Sequence, residues 1–197
     1  MEDIIVIDDC ISTNNQKFIQ EICRGTGFPW FYFDTSNYNP NLSLNNLSKQ
    51  ELEIYNNRSN YFDAPQFGHL ILDEGIVNSN YISLLTPLLS AIPFQIEQLL
   101  KIKFNMKHPR NNVNFGVPHT DLKLKSFMTA IYYVNDCDGD TVIFNQKKYN
   151  EYEPLTVKQS VSPKQGRLVI FDGLRYHSAG NPSLRERTVI NINFIAK

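Results

Sequence analysis

Residues 101–107 read KIKFNMK, and the apolar and polar side chains in this stretch alternate with a period of two. Such alternation is typical of a β-strand with one buried face, because successive side chains of a strand point to opposite sides of a sheet. Between residues 78 and 100, apolar residues instead recur every three or four positions, and Pro87 and Pro93 interrupt the run. That spacing predicts helix, so we expect the chain to change from helices to strands near residue 101.

Short strands are predicted through the remainder of the chain. The segments with a strand pattern are residues 127–134, 141–144, 156–161, 167–171 and 188–194. Glycine, proline and aspartate residues separate them, as is usual for turns. Helices followed by evenly spaced short strands indicate a mainly β fold with supporting helices, either a β-sandwich or a jelly roll.

The N-terminal segments are predicted to support this sheet. Residues 4–7 form a short apolar strand, and a helix capped by Ser12 or Thr13 follows it to about Cys23. The buried side of this helix is predicted to carry Phe18, Ile19 and Ile22. Residues 34–60 are polar and rich in asparagine, a composition that fits either a long mobile loop or a lid.

The overall composition narrows the class of protein. With 197 residues, 42% hydrophobic and 20% charged, we expect a single domain over residues 1–197, with helical support and a lid in 1–100 and a jelly-roll core in 101–197. A formal net charge of −1 argues against a nucleic-acid partner. Neither a signal peptide nor a membrane span is visible, and the three cysteines lack metal-like spacing, so we expect a cytoplasmic protein with reduced thiols.

Two histidines and an aspartate are candidate ligands for a metal ion. His119 and Asp121 flank Thr120, and in an extended chain side chains two residues apart point to the same face. His177 follows the apolar segment 167–171 and a turn, so it qualifies as the third ligand. Two imidazoles and one carboxylate on a triangular face are the arrangement of non-haem iron oxygenases, which leaves coordination positions open.

An arginine follows the second histidine at a sequence distance that could bring it back to the metal site. Arg187 lies ten residues after His177, so a strand, a tight turn and a returning strand would bring it back beside the metal. Its planar guanidinium matches a carboxylate such as the far end of 2-oxoglutarate. On the returning strand it shares a face with Val189 and Asn191, and Asn191 is predicted to add a hydrogen bond. Arg185 is a rival for this role, although it sits in the turn.

Each candidate has a plainer explanation when taken alone. A His-x-Asp triplet occurs by chance in surface turns, and single histidines and arginines are common at exposed strand ends. Here the chain order of these residues, their positions beside predicted strands and the ten-residue offset from His177 to Arg187 agree with one another. Together they favour a metal site. His69 is expected in a loop or at the surface.

A local run of basic residues has two explanations. Its members are Lys101, Lys103, Lys107, His108 and Arg110, followed after the metal motif by Lys123 and Lys125. A solvated strand face is the expected explanation, and guidance of an acidic or nucleic-acid substrate is the alternative.

Several segments of the second half carry a resemblance to a known family. They are residues 118–121 (PHTD), 129–135 (TAIYYVN), 139–141 (GDT) and 166–171 (GRLVIF), with His177 and Arg187. Over about residues 100–197 the chain resembles the 2-oxoglutarate/Fe(II)-dependent oxygenase superfamily, in its prolyl-4-hydroxylase-like branch, which has short members in bacteria and phages. One departure is Asp138-Gly139, where the branch often has two glycines.

The resemblance implies a fold, cofactors and roles for particular residues. The fold would be a double-stranded β-helix, a cupin-like jelly roll, with Fe(II) held by His119, Asp121 and His177 and with 2-oxoglutarate and O₂ as co-substrates. Tyr133 is implied as a helper of Arg187, because its counterpart often donates its hydroxyl to the same carboxylate. A core tyrosine is the plainer alternative for Tyr133.

The implied reaction is hydroxylation of a substrate C–H bond, with succinate and CO₂ as products. Asp121 stands at the position that related halogenases leave small for a halide, which favours hydroxylation. By family analogy the substrate is a prolyl or other peptidyl residue, with a small molecule as the alternative. Two other classes stay open: a non-catalytic cupin-like metal-binding module, and a zinc hydrolase, which would need a general base beside the triplet.

Overall fold

The chain is described here by a computed structural model that covers residues 3–34, 64–110, 115–147 and 155–197. The predicted lid, residues 34–60, lies outside the described residues except for Asp34. None of the helices in these ranges has the length and apolar character needed to cross a membrane.

Strands dominate the described parts of the chain. In chain order they are β1 (Ile4–Ile7), β2 (Phe31–Phe33), β3 (Gln66–Asp73), β4 (Ile76–Val77), β5 (Ile96–Lys107), β6 (Met128–Tyr133), β7 (Thr141–Phe144), β8 (Val157–Val161), β9 (Leu168–Asp172), β10 (His177–Ala179) and β11 (Arg187–Ala196). Helices α1 (Thr13–Arg24) and α2 (Thr86–Ala91) and a 3₁₀ helix (Asn80–Leu85) accompany them. The five strands predicted after residue 120 are confirmed, with ends that differ by at most two residues.

Two antiparallel sheets form the fold. The larger has the order β1-β9-β6-β11-β5-β3-β2, with β4 paired to β3, and the smaller has the order β10-β7-β8. The expected mainly β fold with supporting helices is therefore confirmed. Strands β1 to β4 belong to the predicted support region but pair within the larger sheet. The proposed division at residue 100 stays a prediction.

Helix α1 begins and ends where its sequence predicts. The Ser12 side chain accepts a hydrogen bond from the Asn15 backbone N–H at 3.3 Å, and Gly25 follows the last turn. Ile19 is buried as expected, whereas the expectation for Phe18 is wrong because its side chain is 55% exposed. The buried line of the helix runs through Gln16, Ile19 and Cys23, and Phe18 is rotated about 100° away from it.

The helical prediction for residues 78–100 is correct only in its first half. Helix ends before Pro93, and residues 96–100 instead form the start of β5, paired with the end of β11. The register between β5 and β11 shifts twice, before Phe194 and before Ala196. As a result, Leu100 and Glu97 of β5 lie opposite no residue of β11. Such bulges break the period of two, so the apolar residues fall three and four positions apart as they would in a helix.

Strand β3 also has an irregular pattern, and it contains His69. A register shift between Leu70 and Leu72 disturbs its alternation, which explains why the sequence did not predict a strand there. The expectation that His69 lies in a loop or at the surface is wrong, since its side chain is 5% exposed within β3. The rings of Phe28 and Tyr81 lie 4.9 and 5.6 Å from its imidazole.

The central strands β6, β9 and β11 of the larger sheet are buried on both faces. Its outer face packs against the helices through Ile19, Leu85, Leu88, Ile102, Phe104, Ile190, Ile192 and Phe194. On its inner face, Ile131, Tyr133, Val169, Phe171 and Val189 pack with Ile143 and Val161 of the smaller sheet. Polar side chains placed on the inner face consequently point into the space between the sheets, where the candidate ligands also lie.

Candidate active site

A backbone contact brings the two candidate histidines side by side. His119 donates its backbone N–H to the carbonyl of His177, and His177 donates to the carbonyl of His119, each at 3.0 Å. This isolated antiparallel bridge places the two imidazole rings 4.6 Å apart, centroid to centroid. Residues paired in this way project side chains to the same side, so both rings face Asp121.

The two imidazoles are oriented by carbonyl groups of their own loops. His119 Nδ1 lies 3.0 Å from the Val117 carbonyl oxygen, and His177 Nδ1 lies 3.2 Å from the Arg175 carbonyl oxygen. A carbonyl only accepts, so each Nδ1 carries the proton and each Nε2 is left with a lone pair. The Nε2 atoms of His119 and His177 are 3.7 and 3.6 Å from one oxygen of Asp121.

These three residues fit a transition-metal site by their chemistry. One ligand atom from each of His119, Asp121 and His177 lies within 4.8 Å of the others, with both imidazole lone pairs turned toward the carboxylate. Two neutral nitrogen donors and one anionic oxygen match Fe(II), and second-ring nitrogens bound to carbonyls are usual for histidine ligands. The structure thus brings together the triplet and the distant histidine that the sequence selected.

Three side chains hold the carboxylate of Asp121. The Asn191 amide donates to Oδ1 at 3.1 Å, the Asn193 amide donates to Oδ2 at 2.8 Å, and the Thr129 hydroxyl donates to Oδ2 at 3.2 Å. Asn193 also donates to the Thr129 hydroxyl at 3.0 Å. The carboxylate is consequently fixed on both oxygens before any cation approaches.

Asn193 and Thr129 were not selected from the sequence. Asn193 continues the alternation of Arg187, Val189 and Asn191 along β11, so the period of two could have found it. The predicted Asn191 does face the site, where its amide contacts Asp121. Its contact with 2-oxoglutarate stays a prediction.

Electrostatics favour a positive charge within the cluster. Burial alone would raise the pKa of Asp121, but the positive field of His177 and the contacts with both histidines hold that pKa well below its ordinary value. Burial would lower the pKa of His177, and the charge of Asp121 outweighs it and raises that pKa. A buried carboxylate that stays ionised in this way attracts a cation, and binding of a metal ion to the neutral imidazole competes with protonation of His177.

Arg187 lies deep in the same space between the sheets. Its side chain is 4% exposed. Its Nε donates to the Gly139 carbonyl at 2.7 Å, and its Nη2 donates to the Thr141 hydroxyl at 2.7 Å. The rival Arg185 is exposed in the turn before β11. The ten-residue offset therefore selected the arginine whose side chain is buried beside the smaller sheet.

Tyr133 and Thr141 join Arg187 in one polar group. The Tyr133 hydroxyl donates to the Thr141 hydroxyl at 2.6 Å, and the Arg187 guanidinium carbon lies 5.7 Å from the centre of the Tyr133 ring. Thr141 was part of the segment that carried the resemblance, but no pattern in the sequence pointed to a role for it. Burial raises the pKa of Tyr133, so its hydroxyl stays protonated and able to donate.

The register of the smaller sheet links this polar group to the histidines. On β7, Ile143 pairs with His177, and Thr141 pairs with Ala179 two residues further along. Two residues along a strand span about 7 Å. The separation suits a short dicarboxylic acid with one end at the histidines and the other end at the guanidinium.

Comparison of sequences finds no matching family model and no matching curated protein. Comparison of structures finds extensive similarity. A 2OG-Fe(II) oxygenase family oxidoreductase from Burkholderia pseudomallei aligns over 98% of this chain and 84% of its own, with a TM-score of 0.62 and 10% identity.

Two prolyl hydroxylases align over a similar extent. The Trichoplax adhaerens enzyme, in complex with a hypoxia inducible factor oxygen degradation domain peptide fragment, covers 98% of this chain and 84% of its own, with a TM-score of 0.57 and 13% identity. A prolyl-4-hydroxylase from Pseudomonas putida covers 100% and 94%, with a TM-score of 0.53 and 14% identity. The chain therefore has the double-stranded β-helix fold of the 2OG-Fe(II) oxygenases, prolyl hydroxylases among them, as the resemblance in its sequence implied.

Proposed function

We propose that this protein is an Fe(II)- and 2-oxoglutarate-dependent oxygenase that hydroxylates a substrate C–H bond. The observation that carries the proposal is the presence of two groups between the same two sheets: the cluster of His119, Asp121 and His177, and the buried Arg187. Bound Fe(II) and 2-oxoglutarate supply the O₂ activation that the hydroxylation needs, with succinate and CO₂ as products.

The protein's own residues have distinct tasks in this proposal. His119 and His177 present Nε2 lone pairs because carbonyl oxygens hold their Nδ1 protons, and Asp121 is held in place by its three donors. Arg187 is assigned to the far carboxylate of 2-oxoglutarate, with hydroxyl groups of Thr141 and Tyr133 as additional donors.

Apolar side chains line the space around these groups. The Phe171 ring lies 5.1 Å from the His177 imidazole, and Ile131, Val169 and Val189 pack beside it. They exclude water from the inner end of the site, which strengthens the electrostatic contacts of Arg187 and Asp121.

A peptidyl residue or a small molecule is the proposed class of substrate. Support for a peptide comes from the similarity to a prolyl hydroxylase whose structure contains a peptide fragment. Support for hydroxylation comes from the carboxylate of Asp121, which fills the position that a halide would need.

An anaerobic binding experiment tests the proposal. Fe(II) and 2-oxoglutarate added to the protein should produce a weak visible charge-transfer band, and the band should be absent in His119→Ala. His108→Ala is the matched control, since His108 is exposed and lies 5.4 Å from the Phe67 ring, outside the ligand cluster. Addition of O₂ with a substrate mixture should form succinate and a product heavier by about 16 Da, the mass of one oxygen atom.

The open alternatives predict a different result. A cupin-like binding module or a zinc hydrolase would bind a metal at the same residues but would give neither the band nor succinate. Loss of metal binding in His119→Ala without any 2-oxoglutarate signal in the unmodified protein would therefore contradict the oxygenase proposal.

A further inference from the structure

Lys103 lies on the inner face of the larger sheet, near the candidate metal site. Its neighbours Ile102 and Phe104 are fully buried on the outer face, so the side chain of Lys103 projects inward. In the register of β5 and β11 it is paired with Asn191, whose amide donates to Asp121. Lys103 is therefore the cross-strand neighbour of a residue that holds a proposed ligand. The expectation of a solvated strand face is wrong for Lys103, because its side chain is half-buried on this inner face.

The fold leaves a passage for this side chain. A Cβ atom added to Gly68 on β3 would lie 2.7 Å from Lys103 Cε and 3.3 Å from Nζ. Nζ lies 4.4 Å from the centre of the Phe33 ring on β2. The lysine thus crosses β3 where a side chain is missing and places its ammonium group against an aromatic face.

The ammonium group lacks a counterion among the described residues. No carboxylate of these residues lies within ion-pair distance of Lys103 Nζ, and its neighbour along the same face, Lys101, is also a cation. Asp121 is the carboxylate that acts on it through space, and its oxygens already accept three hydrogen bonds. Burial lowers the pKa of Lys103 to about 8, so the amine is still mostly protonated at neutral pH.

A half-buried cation without a counterion among the described residues destabilises the folded protein unless a partner binds. We propose that Lys103 binds a carboxylate of the primary substrate and so selects an acidic molecule, an inference that rests on the proposed oxygenase function. A carboxylate fits better than a phosphate, because a single ammonium over an aromatic ring offers one charge and few donors, whereas phosphate sites usually combine several.

Affinity selection on the immobilised full chain tests this assignment. The protein is loaded with Mn(II) and excess 2-oxoglutarate, so that the proposed ligands and Arg187 are engaged. Two matched mixtures are applied: peptides with one glutamate beside the same peptides with glutamine, and small carboxylic acids beside their methyl esters. Mass spectrometry of the retained molecules gives the ratio of acid to neutral partner.

The acid-to-neutral ratio should be at least about tenfold in one of the two mixtures for the unmodified protein, the effect of one charged hydrogen bond. The mixture that shows it distinguishes an acidic peptide from a small acid. Lys103→Met should bring the ratio close to one, and Lys17→Met, which removes an exposed lysine of α1, should leave it unchanged. Gly68→Ala keeps the charge but displaces the lysine, so it should also lower the ratio.

Four results would overturn the assignment. The first three are a ratio near one in the unmodified protein, an equal ratio in Lys103→Met and Lys17→Met, and a Lys103-dependent preference for phosphate monoesters over carboxylates. The fourth is a loss of 2-oxoglutarate affinity in Lys103→Met that is as large as its loss of acid preference. The charge-transfer band measures this affinity, and such a loss would mean that the lysine binds the co-substrate. Failure of the oxygenase proposal is distinct: the band would be missing while the acid preference still depended on Lys103.

Discussion

At the scale of single residues, the proposed metal site depends on amides as much as on its ligands. Asn191 and Asn193 each donate to a different oxygen of Asp121, and both side-chain carbonyl oxygens are buried without a partner among the described residues. Such polar atoms are costly to bury, so their retention beside the carboxylate indicates a positioning role.

Removal of Asn193 should weaken metal binding without removing a ligand. Asn193→Ala eliminates the hydrogen bonds to Asp121 and Thr129, so we expect about 10- to 100-fold lower Fe(II) affinity, as is typical for residues that orient ligands. Competition with a chelator measures the change. Asn145→Ala, which removes an exposed amide bound to Thr156, is the matched control. Unchanged affinity in Asn193→Ala would show that the amide only fills space.

When no substrate carboxylate is bound, Lys103 should lower the free energy of unfolding of the protein. Its folded pKa of about 8 lies below the ordinary value of 10.5, so at neutral pH the folded state carries a charge that burial disfavours. Lys103→Met should therefore raise the free energy of unfolding at pH 7 by on the order of 1–3 kcal/mol. Urea denaturation measures it.

The gain in the free energy of unfolding from Lys103→Met should depend on pH. The unfolded chain holds the proton up to about pH 10.5 and the folded chain only to about pH 8, so the penalty is full below pH 8 and fades as pH rises above it. The advantage of Lys103→Met should shrink over that interval. A constant difference from pH 7 to 10 would argue that packing, not charge, causes it.

At the scale of elements, the turn before β7 sets the position of Arg187. The carbonyl of Gly139 accepts from Arg187 Nε, and a Cβ atom at Gly139 would lie 2.8 Å from the Gly180 carbonyl oxygen and 3.0 Å from Arg187 Cδ. Two turns and the arginine are therefore packed around a position that has no room for a side chain.

Gly139→Ala should weaken 2-oxoglutarate binding more than metal binding. The added methyl group forces Arg187 or the Gly180 turn to move, at a cost of about 1–3 kcal/mol, and the proposed ligands are on other segments. Titration of the charge-transfer band gives the 2-oxoglutarate affinity, and chelator competition gives the metal affinity. Gly27→Ala, where nothing lies within 4 Å, is the control. Equal loss of both affinities would indicate general damage to the fold.

Elements also show where sequence patterns succeed and fail. Strands β7 and β9 were predicted because short apolar segments lie between clear turn residues. The start of β5 and the whole of β3 were missed because bulges displace the alternation by one residue. A bulge is stabilised by the partner strand, so a pattern read along one strand does not reveal it.

At the scale of the whole molecule, the first strand fastens both sheets together. Asp8 accepts from Arg167 at 2.6 Å beside the larger sheet, and Asp3 forms ion pairs with Arg175 and with Lys158 of the smaller sheet. Hydrogen bonds from these cations lower the pKa of both carboxyl groups to about 2. Ion pairs therefore anchor the residues at both ends of β1.

Acid should release this attachment. Both folded pKa values lie below the ordinary value of 3.8, so the contribution is present above about pH 4 and is lost as pH falls toward 2. Asp3→Asn with Asp8→Asn should flatten the decline in stability between pH 4 and 2. Because the groups are exposed, the loss at pH 6 should be only about 0.2–1 kcal/mol per pair. Thermal unfolding measures it, and 1 M salt should narrow the difference. An unchanged acid decline would place the responsible carboxyl groups elsewhere.

The sequence by itself determined the mainly β class and the identity of the residues that the fold brings together, and its resemblance to the oxygenase superfamily implied the jelly roll. Alternation, turn residues and the ten-residue offset from His177 to Arg187 are local properties, and local geometry decides which way such side chains point. Only the tertiary structure decided which side chains support them. Asn193 reaches Asp121, Thr141 joins Arg187 to Tyr133, and Lys103 turns inward across Gly68, because separate strands place these residues at one level between two sheets. Cross-strand register depends on distant parts of the chain, and that is the information a linear pattern lacks.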